Sequence, residues 1–550
     1  MKEFTPMLFT TLKGYKANQL IKDIVAGIIV AIIALPLSIA LAIASGVGPE
    51  EGLYTAIIAG ALISIFGGSR VQIAGPTAAF ATIVAGVVAA NGMEGLMLAT
   101  VIAGILLVLM GIFKLGSLIK FIPYTITTGF TAGIAVTILI GQFKDFFGVT
   151  YPAGVSPIET TEKLAVFFEN ITTINWWSLL VGAVSLAVLI VWPKINKTIP
   201  ASLIAVLVGA VMVMLLPNVS GVQTIKTTFG ELNSSLPTIN IPNFNLKTVR
   251  NILPDAFTIA VLAAIESLLS CVVADGMTNS KHRSNMELVA QGIGNIGSAL
   301  FGGIPATGAI ARTAANIKSG GKTPVAGIVH ALLLLLILVF LMPYAALIPM
   351  PTIAAILFTV AYNMSQWRPI VRLFKTAPKS DIFVMALTFI LTVIFDLVVA
   401  IGIGIVLACI LFMKRMSDES EVKGWSYEQF DDDSHKLATV PKAVRVFEIS
   451  GPLFFGMTDR VANITTKEYT KCLIIRMRSV PAIDATAMNA LDDLCNKCIK
   501  KGISVVFSHV NEQPMQSMIK SGLAEKVGLQ NFKPHIDDAL AYATSLCEEK

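Results

Sequence analysis

Residues 301–321 read FGGIPATGAIARTAANIKSGG, a glycine-rich stretch between long apolar segments. It is too short and too rich in glycine to span a bilayer as one helix, yet it carries Arg312 near its middle. An arginine at the centre of a membrane helix costs roughly 2.5–3.5 kcal/mol, so such residues usually face a cavity or a partner. We therefore expect a broken membrane segment that contributes to a polar site.

A second stretch, residues 66–86, reads FGGSRVQIAGPTAAFATIVAG. The two FGG tripeptides begin at Phe66 and Phe301, 235 residues apart, and each is followed by a proline, Pro76 or Pro305. Two short segments interrupted by Gly and Pro at corresponding places in two halves are typical of the binding site of a secondary transporter. Ordinary proline kinks are the alternative, but the recurrence beside matched tripeptides favours a transporter.

The composition is that of a membrane protein with a more polar tail. Of 550 residues, 55% are hydrophobic and 14% charged, against about 25% charged in soluble domains. The net charge of +6 is spread through loops without a basic stripe, so nucleic acid is not an expected partner. The scattered histidines and the pair Cys495-x-x-Cys498 lack catalytic or metal-ligand spacing. We expect neither an enzyme nor a bound metal or cofactor.

Fourteen apolar segments are predicted, two of them half-helices. They are 24–44, 52–66, 75–90, 94–113, 119–141, 176–193, 200–216, 252–273, 287–301, 308–318, 323–343, 349–363, 381–397 and 399–413. Nineteen Lys and Arg residues fall on the side of the N-terminus and five on the other, which predicts that both termini are cytoplasmic. The repeats, 23–216 and 252–415, have seven segments each, so they are expected to be inverted relative to each other.

The remaining parts of the chain are polar. Residues 1–22 are expected to form a cytoplasmic N-terminal segment without a cleavable signal. Residues 416–440 are predicted to be an acidic linker. In residues 441–550 strand patterns alternate with helix patterns. The strand patterns are VRVFEISGPLFF, CLIIRMRSV and ISVVFSHV, and the helix patterns are TAMNALDDLCNKCIKKG and QPMQSMIKSGL. This alternation predicts a small α/β domain, cytoplasmic and reduced.

The two half-helices point to an anion as the ligand. Helix starts that meet near the midplane present unpaired N–H groups and positive dipole ends, and Arg312 adds a fork suited to carboxylate, sulfate or bicarbonate. Glu266 is the other ionisable group deep in a span. The two charges are expected to neutralise each other in the empty site. A bound anion then favours protonation of Glu266, which predicts proton–anion symport. A purely structural buried pair is the alternative.

The residues carry a family resemblance. The chain resembles the SulP (sulfate permease) anion transporters, called solute-carrier family 26 in animals, over nearly its whole length. The resemblance rests on residues 301–321, on ESLLSCVVADGMTNSKHRSNMELVAQGIGNI, on ALPLSIALAIASGVGPEEGLY and on VPAIDATAMNAL. It implies seven-plus-seven inverted repeats, a core domain moving against a gate domain, homodimers and a cytoplasmic STAS domain. It also implies a bacterial inner-membrane location.

The resemblance also implies a substrate site between the third and tenth segments, with Glu266 of the eighth as the acid. The implied substrate-binding residues are Ala74, Gly75, Pro76, Thr77, Ala78, Thr307, Gly308, Ala309, Ile310, Ala311 and Arg312. Ile310 stands where sodium-coupled bicarbonate members have a Thr ligand, which speaks against sodium coupling. Runs such as IESLL and DGMT are similar to DauA-type bacterial dicarboxylate transporters. Succinate and fumarate are therefore the expected substrates, with sulfate or bicarbonate as alternatives.

The STAS resemblance places Thr486 where soluble STAS proteins carry a phosphorylatable serine. Phosphate at the start of the following helix would suit the helix dipole, whereas a plain helix cap is the alternative. A cytoplasmic partner of this domain is also expected. The sequence leaves two other classes open. One is a passive anion channel, and the other is a membrane-anchored signalling protein that acts through the STAS domain.

Overall fold

The computed structural model describes residues 2–117, 122–152, 154–155, 157–196, 199–215, 221–232, 234–242, 246–395, 397–425 and 440–548. The chain divides into two compact units, Met1–Ile405 and Val406–Lys550. Within the described residues, eight helices are long and apolar enough to cross a membrane. The chain is thus an α-helical membrane protein with a separate C-terminal unit, as the sequence predicts.

The described helices that precede the C-terminal sheet correspond to the predicted segments, except for five short helices outside them, and the last helix continues into the second unit. They are α1 (Met7–Thr11), α2 (Ala17–Ala44), α3 (Pro49–Phe66), α4 (Ala81–Ile112), α5 (Tyr124–Gly141), α6 (Phe143–Phe147), α7 (Thr160–Glu169), α8 (Trp176–Ile195), α9 (Ala201–Leu215), α10 (Ile225–Phe229), α11 (Leu246–Thr278), α12 (Ser284–Leu300), α13 (Ile310–Lys318), α14 (Val325–Ala345), α15 (Met350–Met364), α16 (Trp367–Thr376), α17 (Lys379–Ile394) and α18 (Leu397–Glu419). Two short strands, β1 (Ala74–Gly75) and β2 (Thr307–Gly308), precede α4 and α13.

The range of α4 contains two helical arms that meet at Gly92. The φ of 67° and ψ of −174° at this residue are not helical. Such backbone angles strain any residue with a Cβ, so the glycine allows the kink. The kink lies between the predicted segments 75–90 and 94–113, which agrees with their separation in the sequence.

The membrane helices pack in two groups. In the first, α12 packs against α3 and α4, α14 packs against α2 and α3, and α11 packs against α4 and α13. In the second, α15 packs against α5 and α8, and α17 packs against α5. The first group is called the core group below. It carries the broken segments, because both short strands precede helices of this group. The second is called the gate group.

The second unit is built on a five-stranded sheet. Its strands are β3 (Glu421–Gly424), β4 (Val444–Ser450), β5 (Cys472–Ser479), β6 (Ser504–Ser508) and β7 (Phe532–Lys533), in that spatial order. All neighbours are parallel except β3 and β4. Its helices are α19 (Thr458–Ala462), α20 (Ala485–Lys500), α21 (Glu512–Lys520), α22 (Leu523–Val527) and α23 (Ile536–Glu548). Helices cover both faces of the sheet, with α20 on one face and α23 on the other.

Part of the predicted linker belongs to this sheet. Residues 421–424, placed in the linker 416–440 from sequence, form the edge strand β3. The prediction missed the strand because it is short and polar, and because an edge strand needs no apolar run. Residues 426–439 lie outside the described part of the chain. The strands predicted at VRVFEIS, CLIIRMRSV and ISVVFSHV are confirmed.

The start of α20 shows where Thr486 lies. Asp484, and not Thr486, is the N-cap, and its side chain accepts a hydrogen bond from the N–H of Ala487 at 2.8 Å. Thr486 is exposed in the first turn.

Further along the helix, Cys495 is fully buried, and burial raises the pKa of its thiol to about 12. A thiol with that pKa is inert at neutral pH, which agrees with a packing role.

Candidate functional site

Strands β1 and β2 hold the two broken segments together. They pair antiparallel, with Ala74 opposite Gly308 and Gly75 opposite Thr307. A 3-10 turn, Ala78–Phe80, leads from β1 into α4, and α13 begins at Ile310 directly after β2. The two segments therefore meet start to start, and the residues predicted at 74–78 and 307–312 come together in one place.

Both helix starts at this junction lack side-chain caps in the part of the chain that the structure describes, and the start at Ile310 is exposed whereas the one at Ala78 is buried. Thr77 and Ala309, the residues before the first turns, form no side-chain cap among the described residues. Ile310 is 42% exposed, and Ala311 is exposed beside it. The first N–H groups of a helix have no intrahelical partner and carry a partial positive charge. Uncapped starts of this kind bind the oxygens of anions.

Glu266 of α11 lies against the same junction. The hydroxyl of Thr77, just after β1, donates to its Oε2 at 2.9 Å. The adjacent Ser267 accepts a hydrogen bond from the N–H of Gly308, in β2, at 3.0 Å. Helix α11 thus contacts both broken segments through two neighbouring residues. The acid predicted from sequence therefore lies at the junction.

The predicted ion pair between Arg312 and Glu266 is not formed. Arg312 is 1% exposed, and its Nη2 donates to the carbonyl oxygen of Pro76. Its Nε and Nη1 have no hydrogen-bond partner within the described residues. Arg312 and Glu266 each bind the loop around Pro76 and Thr77 and do not bind each other. The guanidinium therefore acts on the site through its positive charge. Its N–H groups, which were expected to bind the anion directly, are buried.

Sequence reasoning missed the residue that supports β1 from the N-terminal end of α12. Glu287 is fully buried and accepts four hydrogen bonds. Its Oε2 binds the N–H groups of Gly68 and Ser69 at 2.9 and 3.2 Å. Its Oε1 binds the amides of Gln72 and Gln291, both at 2.8 Å. Its position at the start of the predicted span 287–301 concealed it, although a glutamate inside a buried helix face is a signal that could have identified it.

Replacing Glu287 with Ala leaves four buried donors without an acceptor. Each unsatisfied donor costs about 1–3 kcal/mol, so we expect a large fall in the melting temperature of the purified protein. Glu94→Ala, which removes an exposed acid of α4, is the matched control and should melt like the wild type. Equal melting of the Glu287 variant and the wild type would contradict the assignment.

Known proteins share this architecture. The sequence profile of the family described as "Sulfate permease family" matches residues 20–388. That is more than half of the chain. The chain belongs to the sulfate permease family. A second profile, described as "STAS domain", matches residues 435–539. The protein is therefore a multi-pass membrane transporter with a C-terminal STAS domain.

Its relatives extend over nearly the whole chain. It is 39% identical to "Putative sulfate transporter YvdB" of Bacillus subtilis, over 96% of this chain and 98% of the relative. It is 32% identical to "Bicarbonate transporter BicA" of Picosynechococcus sp., over 92% and 91% respectively. The solved structure of the murine solute carrier 26 family member A9 anion transporter superposes with a TM-score of 0.88. At 18% identity, covering 98% of this chain and 94% of that one, it shows the shared fold. The narrower resemblance to dicarboxylate transporters has no support among these relatives.

Proposed function

We propose that this sulfate permease family member is a secondary active anion transporter that carries its anion together with a proton. The observation that supports this proposal is the β1–β2 junction, where two uncapped helix starts and Glu266 meet. Backbone N–H groups at Ile310 and Ala311 bind the anion, and Glu266 holds the proton. Alternating access then comes from movement of the core group against the gate group.

The charges at the junction favour coupling to a dianion. Each helix start contributes about half a positive charge, and Arg312 contributes a full one from behind β1. With Glu266 ionised the sum is close to one positive charge, and with Glu266 protonated it is close to two. A dianion therefore binds best to the protonated site, so its binding and that of the proton favour each other.

The substrate is chosen among three classes of anion. C4-dicarboxylates such as succinate and fumarate, expected from the DauA-type resemblance, are dianions and suit this charge balance. Sulfate is also a dianion, and the relative that is 39% identical is named for sulfate. Bicarbonate is a monoanion, supported by the name of the relative that is 32% identical. Ile310 offers no side-chain oxygen for a sodium ion, so a proton is the coupling ion in each case.

Anion binding and flux measurements test this proposal. Purified protein is heated with succinate, fumarate, sulfate or bicarbonate at a mildly acidic and a mildly alkaline pH. We expect one dianion to raise the melting temperature, and to do so more strongly at the acidic pH. That anion is then tested for uptake against its own gradient in proteoliposomes. Flux that only follows the anion gradient would indicate a passive channel, and indifference to all four anions would contradict the proposal.

Several assignments remain predictions beside this proposal. These are the homodimer, the bacterial inner membrane, the cytoplasmic termini, a cytoplasmic partner of the STAS domain and phosphorylation of Thr486. The exposed position of Thr486 in the first turn of α20 is compatible with modification. Mass spectrometry of protein purified from its own cells tests this last point directly.

A further inference from the structure

Helix α16 is unlike its neighbours, because it is amphipathic and none of its ten residues, all of them described, is buried. It joins α15 to α17 on the side that the distribution of Lys and Arg assigns to the cytoplasm. Gln366, with φ 47°, turns the chain sharply into it, and α17 follows after Pro378. The helix is thus fixed at both ends to helices of the gate group.

The apolar residues of α16 form two sectors. At 100° per residue, Trp367, Val371 and Phe374 share one face. Their exposed fractions are 47%, 45% and 54%. Ile370 and Leu373, on the adjoining face, are half-buried. The half-buried sector holds the helix against the protein, which leaves the first sector facing outward.

The basic residues form a third sector beside the exposed apolar one. Arg368, Arg372 and Lys375 are all exposed. Within the described residues none of the three makes a salt bridge with a carboxylate. The guanidinium of Arg368 lies 5.4 Å from the ring centre of Trp367. Three cations with no acidic partner in the described part of the chain therefore border an exposed apolar surface.

We propose that α16 binds the headgroups of anionic phospholipids at the cytoplasmic surface of the membrane. Trp367, Val371 and Phe374 enter the boundary between headgroups and acyl chains, and the three cations bind lipid phosphates. A helix with one apolar and one basic face lies in this way in the membrane interface. The charge complementarity and the adjoining apolar sector together select a lipid, because a soluble acidic ligand would use the cations alone. Anionic lipid then stabilises the gate group through α15 and α17.

A soluble anionic lipid tests the inference on the whole protein. Dioctanoyl phosphatidylglycerol is titrated into protein purified in an uncharged detergent, and the melting temperature is followed. We expect stabilisation by this lipid and little by dioctanoyl phosphatidylcholine. Each cation near an anionic membrane surface strengthens association by roughly fivefold. The variant Arg368→Gln/Arg372→Gln/Lys375→Gln should therefore need at least about tenfold more anionic lipid for the same shift.

Matched variants distinguish lipid binding from the binding of a soluble anion or an acidic peptide. The variant Lys497→Gln/Lys500→Gln/Lys501→Gln removes three charges from α20 and the residue after it, and should respond like the wild type. Val371→Ser/Phe374→Ser should weaken the response with all three cations of α16 present. Three results would each overturn the inference. They are an unchanged response of the α16 triple variant, an equal response to glycerol phosphate without acyl chains, and stabilisation by an acidic peptide alone.

Discussion

Replacing Glu266 with Gln is expected to abolish uptake driven by a pH gradient. Gln has the size of Glu, and its amide oxygen can still accept the hydrogen bond from Thr77, so the junction should keep its shape. The amide takes up no proton near neutral pH, however, and the coupling step is lost. Wild-type uptake should rise when the outside is more acidic, because an inward proton gradient loads Glu266 together with the anion. In the variant this rise should fall at least tenfold.

The measurement uses proteoliposomes with a labelled substrate anion and an imposed pH gradient. Exchange of labelled for unlabelled anion at equal pH is measured in parallel and should persist in the variant, because it requires only the site. Glu94→Gln, an exposed acid on α4, is the matched control and should keep its response to the gradient. If Glu266→Gln is still driven by a pH gradient, or if the wild type is indifferent to one, proton coupling through Glu266 is wrong.

The sequence predicted the broken segments because their signals are local. A repeated FGG tripeptide that is followed by a proline, together with Arg312 in an apolar context, points to the junction without any knowledge of long-range contacts. The partner of Arg312 was not predictable in this way. Whether its guanidinium meets Glu266 or the carbonyl of Pro76 depends on which face of α13 turns toward β1. Residue spacing does not determine this, since β1 and α13 come from distant parts of the chain.

The support for the junction was equally hidden. Gln72 and Glu287 are 215 residues apart and form one hydrogen bond at 2.8 Å. Each alone reads as a polar residue near the end of a span. The edge strand β3 was missed for a different reason. Its own composition does not predict a strand, and it is extended because it pairs with β4. The meeting of the two broken segments was thus predicted because both carry the same signal, whereas contacts between segments without a shared signal were not.

Gly308→Ala is expected to disrupt the junction and with it transport. An added Cβ would lie 2.1 Å from Nε2 of Gln72 and 2.5 Å from its Cδ, too close for any ordinary contact. Gln72 cannot easily move away, because Glu287 holds its Nε2 at 2.8 Å and its Oε1 accepts from the thiol of Cys271 at 2.9 Å. The backbone of Gly308 has no positive φ, so the effect is one of space and not of backbone strain.

Two consequences can be measured. Overpacking of this kind costs about 1–3 kcal/mol, so the melting temperature should fall, and anion uptake should fall at least tenfold because β1 and β2 are forced apart. Gly276→Ala on α11 is the control, since a Cβ there meets no atom within 4 Å, and it should change neither quantity. Adding Gln72→Ala to Gly308→Ala makes room for the methyl group and should restore part of the uptake. Wild-type uptake by Gly308→Ala alone would show that the junction tolerates separation, and that the anion does not depend on the two helix starts being held together.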